Sequence, residues 1–308
     1  MPFAGAGRVL SVGIGGGGDV VGALATAEHA ATQGATAIVG GLTWERRPID
    51  PIPGARTLDE LTGIERLNDT VALATGETRG PDELQFAETH MAAHLGEKTV
   101  LVDPNPGPQA VATGLADAAA KLGCDTIALV DVGGDVLAHG DEPGLASPLA
   151  DSILLASARH LVRETNLRVV LGVFGAGCDG ELTIAEVQER ISEVAARGGW
   201  IGTSGLTPRA VTRLEEAVKH VPTEASAMAL RCARGHTGRT AIRRGRRSVE
   251  LSPVAAITFY LDPLVAMATA AHLADAVVDA PTLRDANAIL HRLGVRSELD
   301  YELEAAKE

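Results

Sequence analysis

The feature that most constrains this chain is a group of glycines that directly follows a short apolar segment. Residues 9–12 have the pattern of a buried strand, glycine fills five of the next six positions, and Asp19 then opens a helical run. Glycine costs backbone entropy, so this density indicates positive φ angles or a ligand against the main chain. Backbone N–H groups without a hydrogen-bond partner and the positive end of the helix dipole would face the same point, as they do in an anion-binding site. The predicted ligand-binding residues here are Gly13, Gly15, Gly16, Gly17, Gly18 and Asp19.

Composition and charge restrict the class of protein. The 308 residues are 45% hydrophobic but only 3% aromatic, which is typical of an α/β protein whose strands are covered on both faces. A net charge of −13 argues against affinity for nucleic acid or acidic membranes. No apolar stretch is long enough to cross a bilayer, no signal-peptide pattern opens the chain, and the cysteines lack metal-type spacing. We expect a cytoplasmic protein without a nucleic-acid or membrane partner.

Apolar runs alternate with helical patterns along almost the whole chain. This alternation predicts a Rossmann-like three-layer α/β/α sandwich with a mostly parallel sheet. We expect a single domain over 1–308, with a long loop insertion at about 43–80, a basic segment at about 231–247 and a frayed end at 302–308. The predicted strands are 9–12, 36–39, 70–74, 99–102, 126–130, 168–173, 200–202, 225–231 and 256–261. The predicted helices are 20–33, 81–95, 108–122, 147–164, 183–196, one from 207, 263–278 and 282–293.

Acidic and hydroxyl side chains recur where the predicted strands end. The carboxyl ends of parallel strands meet at one edge of a sheet, where such folds bind ligands. The alternative is that these residues only cap helices and turns, which aspartate often does. Outside the glycine loop, the predicted ligand-binding residues of this group are Asp103, Asp179, Thr203 and Ser204.

The segment DVGGDVLAHGDE is the strongest candidate for chemistry. Asp131 and Asp135 flank a Gly-Gly turn, and His139 follows them. Two carboxylates in this arrangement can hold Mg²⁺ or act as a general base, so we predict all three residues to be catalytic, with Asp131 and Asp135 as the metal ligands. The alternative is a glycine turn with ordinary caps.

Gly13, Gly15 and Gly18 match the GxGxxG pattern, so a dinucleotide-binding site is an alternative interpretation of this loop. Such a site needs an acid at the end of the second strand to hold the ribose hydroxyls, but Gly40 and Gly41 stand there. Asp19 would also repel a pyrophosphate unless a metal ion lay between them. We therefore favour a phosphate or polar-metabolite site, with NAD(P) as the alternative cofactor.

The only basic block of this acidic chain is RCARGHTGRTAIRRGRR, at 231–247. Arginine forks match phosphate and carboxylate, so Arg234 and His236 are predicted to close over an anionic substrate. Two alternatives remain open: the block pairs with a neighbouring subunit in a homo-oligomer, or it is a solvated surface hairpin. RNA binding is disfavoured because no aromatic residues interleave.

Three strings resemble a prokaryotic family known only as domain of unknown function 1152. They are GIGGGGDVVGALATA, GGLTWERRPIDPIPGARTLDEL and LVDVGGDVLAHGDEPGLASPLAD. The resemblance implies one α/β domain and carries over no catalytic residue. It also suggests that Trp44, Glu45 and Arg46 of the WERRP string lie against the glycine loop and contact the ligand.

These features together predict an enzyme that acts on a small phosphate- or nucleotide-bearing, or polyhydroxylated, metabolite. The expected reaction is hydrolysis or group transfer, assisted by the strand-end carboxylates and by Mg²⁺. The alternatives are an NAD(P)-dependent oxidoreductase and a non-catalytic ligand-binding or assembly protein.

Overall fold

A nine-stranded sheet organises the computed structural model, which describes residues 1–307. Its strands are β1 (Arg8–Gly13), β2 (Thr36–Leu42), β3 (Glu65–Arg66), β4 (Val71–Ala74), β5 (Thr99–Val102), β6 (Thr126–Val132), β7 (Arg168–Phe174), β8 (Trp200–Gly205) and β11 (Ile257–Leu261). A separate hairpin consists of β9 (Gly238–Ile242) and β10 (Arg247–Leu251). The helices are α1 (Val20–Thr32), α2 (Ala87–Leu95), α3 (Gly107–Leu122), α4 (Pro148–Glu164), α5 (Ile184–Ala196), α6 (Pro208–Ala217), α7 (Ala225–Ala233), α8 (Pro263–Thr269), α9 (His272–Ala276), α10 (Leu283–Arg292) and α11 (Glu298–Ala305).

The strand order places a reversal of direction next to the glycine loop. The sheet runs β3-β4-β5-β2-β1-β6-β7-β11-β8, and the strands from β5 to β7 pair in parallel. From β1 the chain moves outward to β2 and β5, and then returns to the other side of β1 for β6 and β7. Open α/β sheets bind ligands in the crevice at such a switch point. The predicted Rossmann-like, mostly parallel α/β fold is confirmed.

Strand residues alternate between two apolar cores, one on each face of the sheet. Leu10 and Val12 of β1 pack in one core with α3, α4 and α10, whereas Val9 packs in the other with α1 and α6. In β6, Leu129 and Val130 divide in the same way. This period of two is what a strand covered by helices on both faces requires.

Capping residues explain several helix boundaries. Thr183 and Glu186 form a capping box at the start of α5, as the sequence predicts. Thr207 accepts the Ala210 amide at the start of α6, and Pro208 is its first residue. Gly34, with φ of 89°, follows α1.

Three local predictions are wrong. Residues 225–231 lie in α7 and not in a strand, because alanine, methionine and leucine favour a helix whose buried side packs in the core beside α1. The predicted helix 81–95 begins only at Ala87, after a separate helical turn at Pro81–Glu83. The predicted helix 263–278 is broken into α8 and α9.

The C-terminal segment is docked, and the prediction that 302–308 is frayed is wrong up to Ala305. Glu302 on α11 is 6% exposed, and its carboxylate accepts the Trp44 indole N–H at 3.1 Å and the Gly54 amide at 2.8 Å. Charge alone suggested a solvated tail, but these hydrogen bonds compensate the burial of one glutamate. Residue 308 lies outside the described residues.

None of the helices within residues 1–307 has both the length and the apolar character needed to span a bilayer.

The buried contact of α11 predicts a stability difference between two glutamates of that helix. Glu302→Ala should lower the free energy of unfolding by about 2 kcal/mol, because the Trp44 and Gly54 donors lose their acceptor. The matched control is Glu304→Ala, since Glu304 makes an exposed pair with Arg296 and should change stability by about 0.5 kcal/mol or less. Urea unfolding measures both. Equal effects of the two substitutions would contradict the docking of α11.

Candidate functional site

Acidic side chains converge at the carboxyl edge of the sheet, around the switch point. They come from the loops after β1, β6 and β7 and from the first turn of α4. They form two groups of three, and within each group one oxygen of every residue lies within 4.8 Å of the others. We call the whole set the carboxylate cluster, with a first triad and a second triad. The first triad is Asp19, Asp131 and Asp151, and the second is Asp135, Asp179 and Glu181.

Five of the six cluster residues are buried, and Asp19 is half-buried. Asp131 is 1% exposed, Asp151 2% and Asp179 6%. Backbone amides hold some of the carboxylates: Gly134 donates to Asp131 at 2.7 Å and Gly15 donates to Asp19 at 2.9 Å. These bonds orient the side chains toward each other and not toward water.

Burial and mutual repulsion raise the pKa values of the five aspartates in the cluster. Burial, followed by neighbouring carboxylates, raises the pKa of Asp131 and Asp135 well above the usual range, and the same causes act on Asp151. Burial also raises the pKa of Asp19 and Asp179 to about 7. So many carboxylates cannot all stay ionised in one dry site without protons or cations between them.

Two glycines make room for the cluster. A Cβ atom at Gly15 would lie 2.6 Å from an Asp19 carboxylate oxygen, and one at Gly133 would lie 2.4 Å from the Asp179 carboxyl carbon. Gly133 also has φ of 141°, which other residues rarely adopt. The sequence predicts glycine there to admit a ligand, and the structure shows it admitting carboxylates.

The remaining glycines of the first loop are packed against protein. The Gly17 amide donates to the Trp44 carbonyl at 3.0 Å. A Cβ at Gly18 would lie 2.2 Å from Thr223, one at Gly16 would lie 2.7 Å from the Trp44 carbonyl oxygen, and one at Gly13 would meet the Asp19 backbone. The amides of Gly15 and Gly17 are therefore bonded inside the protein, and anion binding by this loop stays a prediction.

The segment after β2 contacts the glycine loop, as the WERRP string suggests. Arg46 donates to the Gly15 carbonyl, pairs with Glu298 at 3.2 Å and stacks on Trp44 at 4.6 Å. Its Nη1 atom is buried without a hydrogen-bond partner. Arg46 thus brings a positive charge to the first triad from the segment after β2. This charge lowers the pKa of Asp151 against the larger effect of burial.

The N-terminus of α4 also points to the site, and Glu298 caps it. The Glu298 carboxylate, from α11, accepts the Leu149 amide at 3.0 Å and the Ala150 amide at 2.9 Å. Ser147, which the sequence indicates as the cap, instead donates to Glu181 at 2.6 Å. Sequence reasoning missed Glu298 because it lies 149 positions from Leu149.

Asp151 is the cluster member that the sequence did not indicate. It stands inside a helix, where an aspartate ordinarily faces solvent or supports a cap. In the structure it lies in the first turn of α4 and is buried beside Gly15. The only sequence signal is an acid four residues after the predicted cap position. Helices whose acids face solvent show the same pattern.

Two further predicted residues belong to other local contacts. His139 lies 3.0 Å from Glu193 of α5 and stacks on His272. Asp103 accepts the Asn105 amide at 2.9 Å. Neither belongs to the first or the second triad; His139 instead lies in a separate, partly exposed group with Asp141 and Glu142.

The predicted hydroxyls after β8 lie farther along the edge. Thr203 and Ser204 belong to a strand two places beyond β7, roughly 10 Å away at the ordinary strand spacing. Ser204 hydrogen-bonds the Tyr260 hydroxyl at 3.1 Å. The structure does not bring these two residues to the carboxylate cluster.

The basic segment forms the end of α7 and the β9–β10 hairpin. Arg234 pairs with Glu215 at the surface, and His236 is exposed. Arg243 and Arg247, which were not singled out by the sequence, both lie 3.5 Å from Glu181. The structure therefore has the surface hairpin, and it directs Arg243 and Arg247 toward the second triad.

Two surface cavities occur away from the cluster. One of about 760 Å³ lies between α5 and α8, lined by Glu193 and Val265, and one of about 490 Å³ lies beside α11, lined by His291 and Leu303. Neither is lined by a triad residue. The buried geometry of the cluster, and not a surface cavity, defines the candidate site.

A pair of buried acids outside the carboxylate cluster, Glu45 and Glu88, lies near the glycine loop. Glu45 is 3% exposed and accepts the Ala87 amide, while Glu88 is 1% exposed and neither of its carboxylate oxygens has a hydrogen-bond partner in the described part of the chain. Burial raises the pKa of Glu45 to about 7 and that of Glu88 well above its usual range, with Glu45 adding to the effect on Glu88.

Glu45 predicts a pH dependence of stability. Between about pH 4.5, its ordinary value, and about pH 7, the native protein keeps a proton that the unfolded chain has released. The free energy of unfolding should therefore fall as pH rises through this window, by on the order of 3 kcal/mol from this group. Glu45→Gln, which stays neutral, should remove that part of the slope.

Denaturant unfolding between pH 4.5 and 8 measures the effect. Glu77→Gln is the matched control, because Glu77 is exposed. An unchanged slope in Glu45→Gln would show that the native protein does not hold this proton.

Comparisons with known proteins place the chain by family only. Among curated proteins, and likewise among solved structures, nothing matches it. A family model described as "Protein of unknown function (DUF1152)" matches residues 10–306, which includes every member of the carboxylate cluster. The chain belongs to this family of unknown function, DUF1152.

Proposed function

We propose that this protein is an enzyme that acts on a small phosphate-bearing, nucleotide-bearing or polyhydroxylated metabolite by hydrolysis or group transfer. The reaction takes place at the carboxylate cluster, with a divalent cation bound by Asp131 and Asp135. The observation that carries the proposal is the convergence of buried acids from three strand ends and one helix at the switch point of the sheet. Perturbed acids gathered at the ligand-binding edge of such a fold are typical of an active site.

The residues themselves suggest the chemistry. A divalent cation supplies charge neutralisation and polarisation of a phosphoryl or carbonyl oxygen. Carboxylate oxygens are the ligands that Mg²⁺ prefers, and the Gly134 amide, directly before Asp135, holds the Asp131 carboxylate at 2.7 Å. A carboxylate of the cluster that does not bind the cation can take a proton from an attacking water.

The oxidoreductase alternative has less support. A dinucleotide needs free amides in the glycine loop and an acid at the end of β2. Here Thr223 lies against Gly18, the Gly17 amide is bonded to Trp44, and β2 ends at Leu42.

Activity on a panel of sugar phosphates, nucleotides and phosphomonoesters, with Mg²⁺ or Mn²⁺, tests the proposal. Asp131→Asn and Asp135→Asn should each lower kcat/KM by about 100-fold or more, since a cation ligand and an acid–base group are lost. The melting temperature should stay level or rise, because a neutral amide replaces a buried acid in a repelling cluster.

Asp279→Asn, at an exposed aspartate, is the matched control and should leave kcat/KM unchanged. Full activity in both cluster variants, or a large loss of stability in both, would indicate a structural role. Absence of turnover over the whole panel would contradict the proposal.

A further inference from the structure

The carboxylate cluster has two centres. The first triad gathers around Gly15, between the glycine loop and α4, and the second lies between the loops that follow β6 and β7. The Gly134 amide, directly before Asp135 of the second triad, donates to Asp131 of the first triad at 2.7 Å, so the two centres adjoin. The two residues that bind the cation in the proposed function, Asp131 and Asp135, therefore belong to different triads.

Each centre contains an oxygen that the protein leaves unsatisfied. Asp151 Oδ1 in the first triad and Asp179 Oδ1 in the second are buried and lack a hydrogen-bond partner within residues 1–307. Asp151 is 2% exposed and Asp179 is 6% exposed, and one carboxyl oxygen of each lies within 4.8 Å of an oxygen of each other acid in its triad. A buried carboxylate oxygen without a donor is costly, and a bound cation removes that cost.

The arginines near the cluster do not compensate both centres. Arg46 faces the first triad, but its Nη2 atom bonds the Gly15 carbonyl and Glu298, and its Nη1 atom makes no hydrogen bond to Asp151. Arg243 and Arg247 each lie 3.5 Å from Glu181, and their charges lower the pKa of Asp179 against the larger effect of burial, but neither forms an ion pair with Asp179. Neither Asp151 Oδ1 nor Asp179 Oδ1 receives a hydrogen bond from them.

We propose that the site binds two divalent cations, one in each triad, as a dinuclear centre. Both sets contain only carboxylate oxygens, which suits Mg²⁺ or Mn²⁺ and disfavours zinc, whose sites are rich in histidine and cysteine. Adjacent cations of this kind clamp a bridging phosphoryl oxygen and the attacking water, so the substrate class is a phosphate ester or anhydride. This inference rests on the proposed function, which it extends from one cation to two.

Cation stoichiometry is the test. The full chain, stripped with a chelator, is titrated with Mn²⁺ by calorimetry, and bound metal is counted after dialysis. We expect about two Mn²⁺ per chain and an electron paramagnetic resonance spectrum with exchange coupling between neighbouring ions. Asp151→Asn and Asp179→Asn should each leave about one Mn²⁺ with an uncoupled spectrum, and the exposed control Asp279→Asn should keep both ions.

The outcomes separate this inference from the proposed function. One Mn²⁺ per wild-type chain, or two without coupling, overturns the dinuclear centre, even if phosphate esters are hydrolysed. Two coupled Mn²⁺ without turnover of any phosphate compound supports the centre and contradicts the proposed function. If a variant fails to fold by circular dichroism, the wild-type stoichiometry and spectrum still decide.

Discussion

The structure depends on the burial of like charges at one edge of a parallel sheet. Asp131 lies at the end of β6, beside the switch point, and Asp135 lies in the turn that follows, while Asp19 and Asp179 approach them from the neighbouring loops. A folded chain tolerates this arrangement only where protons, cations or hydrogen-bond donors offset the repulsion. The amides of Gly15 and Gly134, the α4 N-terminus and a few arginines supply part of that compensation.

Contacts between distant parts of the chain hold the site together. Arg46 joins the glycine loop to Glu298, and Glu298 in turn caps α4, which carries Asp151. Glu302 binds Trp44 one turn further along α11. Helix α11, the last helix of the described chain, thus positions residues from the first third of the sequence. The cluster therefore depends on contacts across the whole fold.

The sequence predicts the sheet and the edge at which the acids gather well, because both follow from local patterns. Apolar runs, glycine turns and the acids directly after strands identify β1, β6 and β7 and place Asp19, Asp131 and Asp179 at one edge. Asp151 and Glu298 could not be predicted, since their roles arise from long-range packing and not from spacing. Residues 225–231 were misassigned because an apolar run of that length suits either a strand or a helix until its neighbours are known.

The glycine loop shows the limit of motif reasoning in another way. The density of glycine indicates a close approach to the backbone, which is correct, but the approaching groups are Asp19, Trp44 and Thr223. A glycine-rich motif indicates that another group lies close to the backbone, but it does not identify that group. The candidate site is therefore better defined by its buried acids than by its loop.

The central claim is that the buried acids exist to hold cations. Anomalous diffraction from crystals grown with Mn²⁺ tests it most directly. The account predicts manganese peaks coordinated by Asp131 and Asp151 on one side and by Asp135 and Asp179 on the other. A well-ordered cluster without anomalous density, its carboxyl groups joined by shared protons, would contradict it.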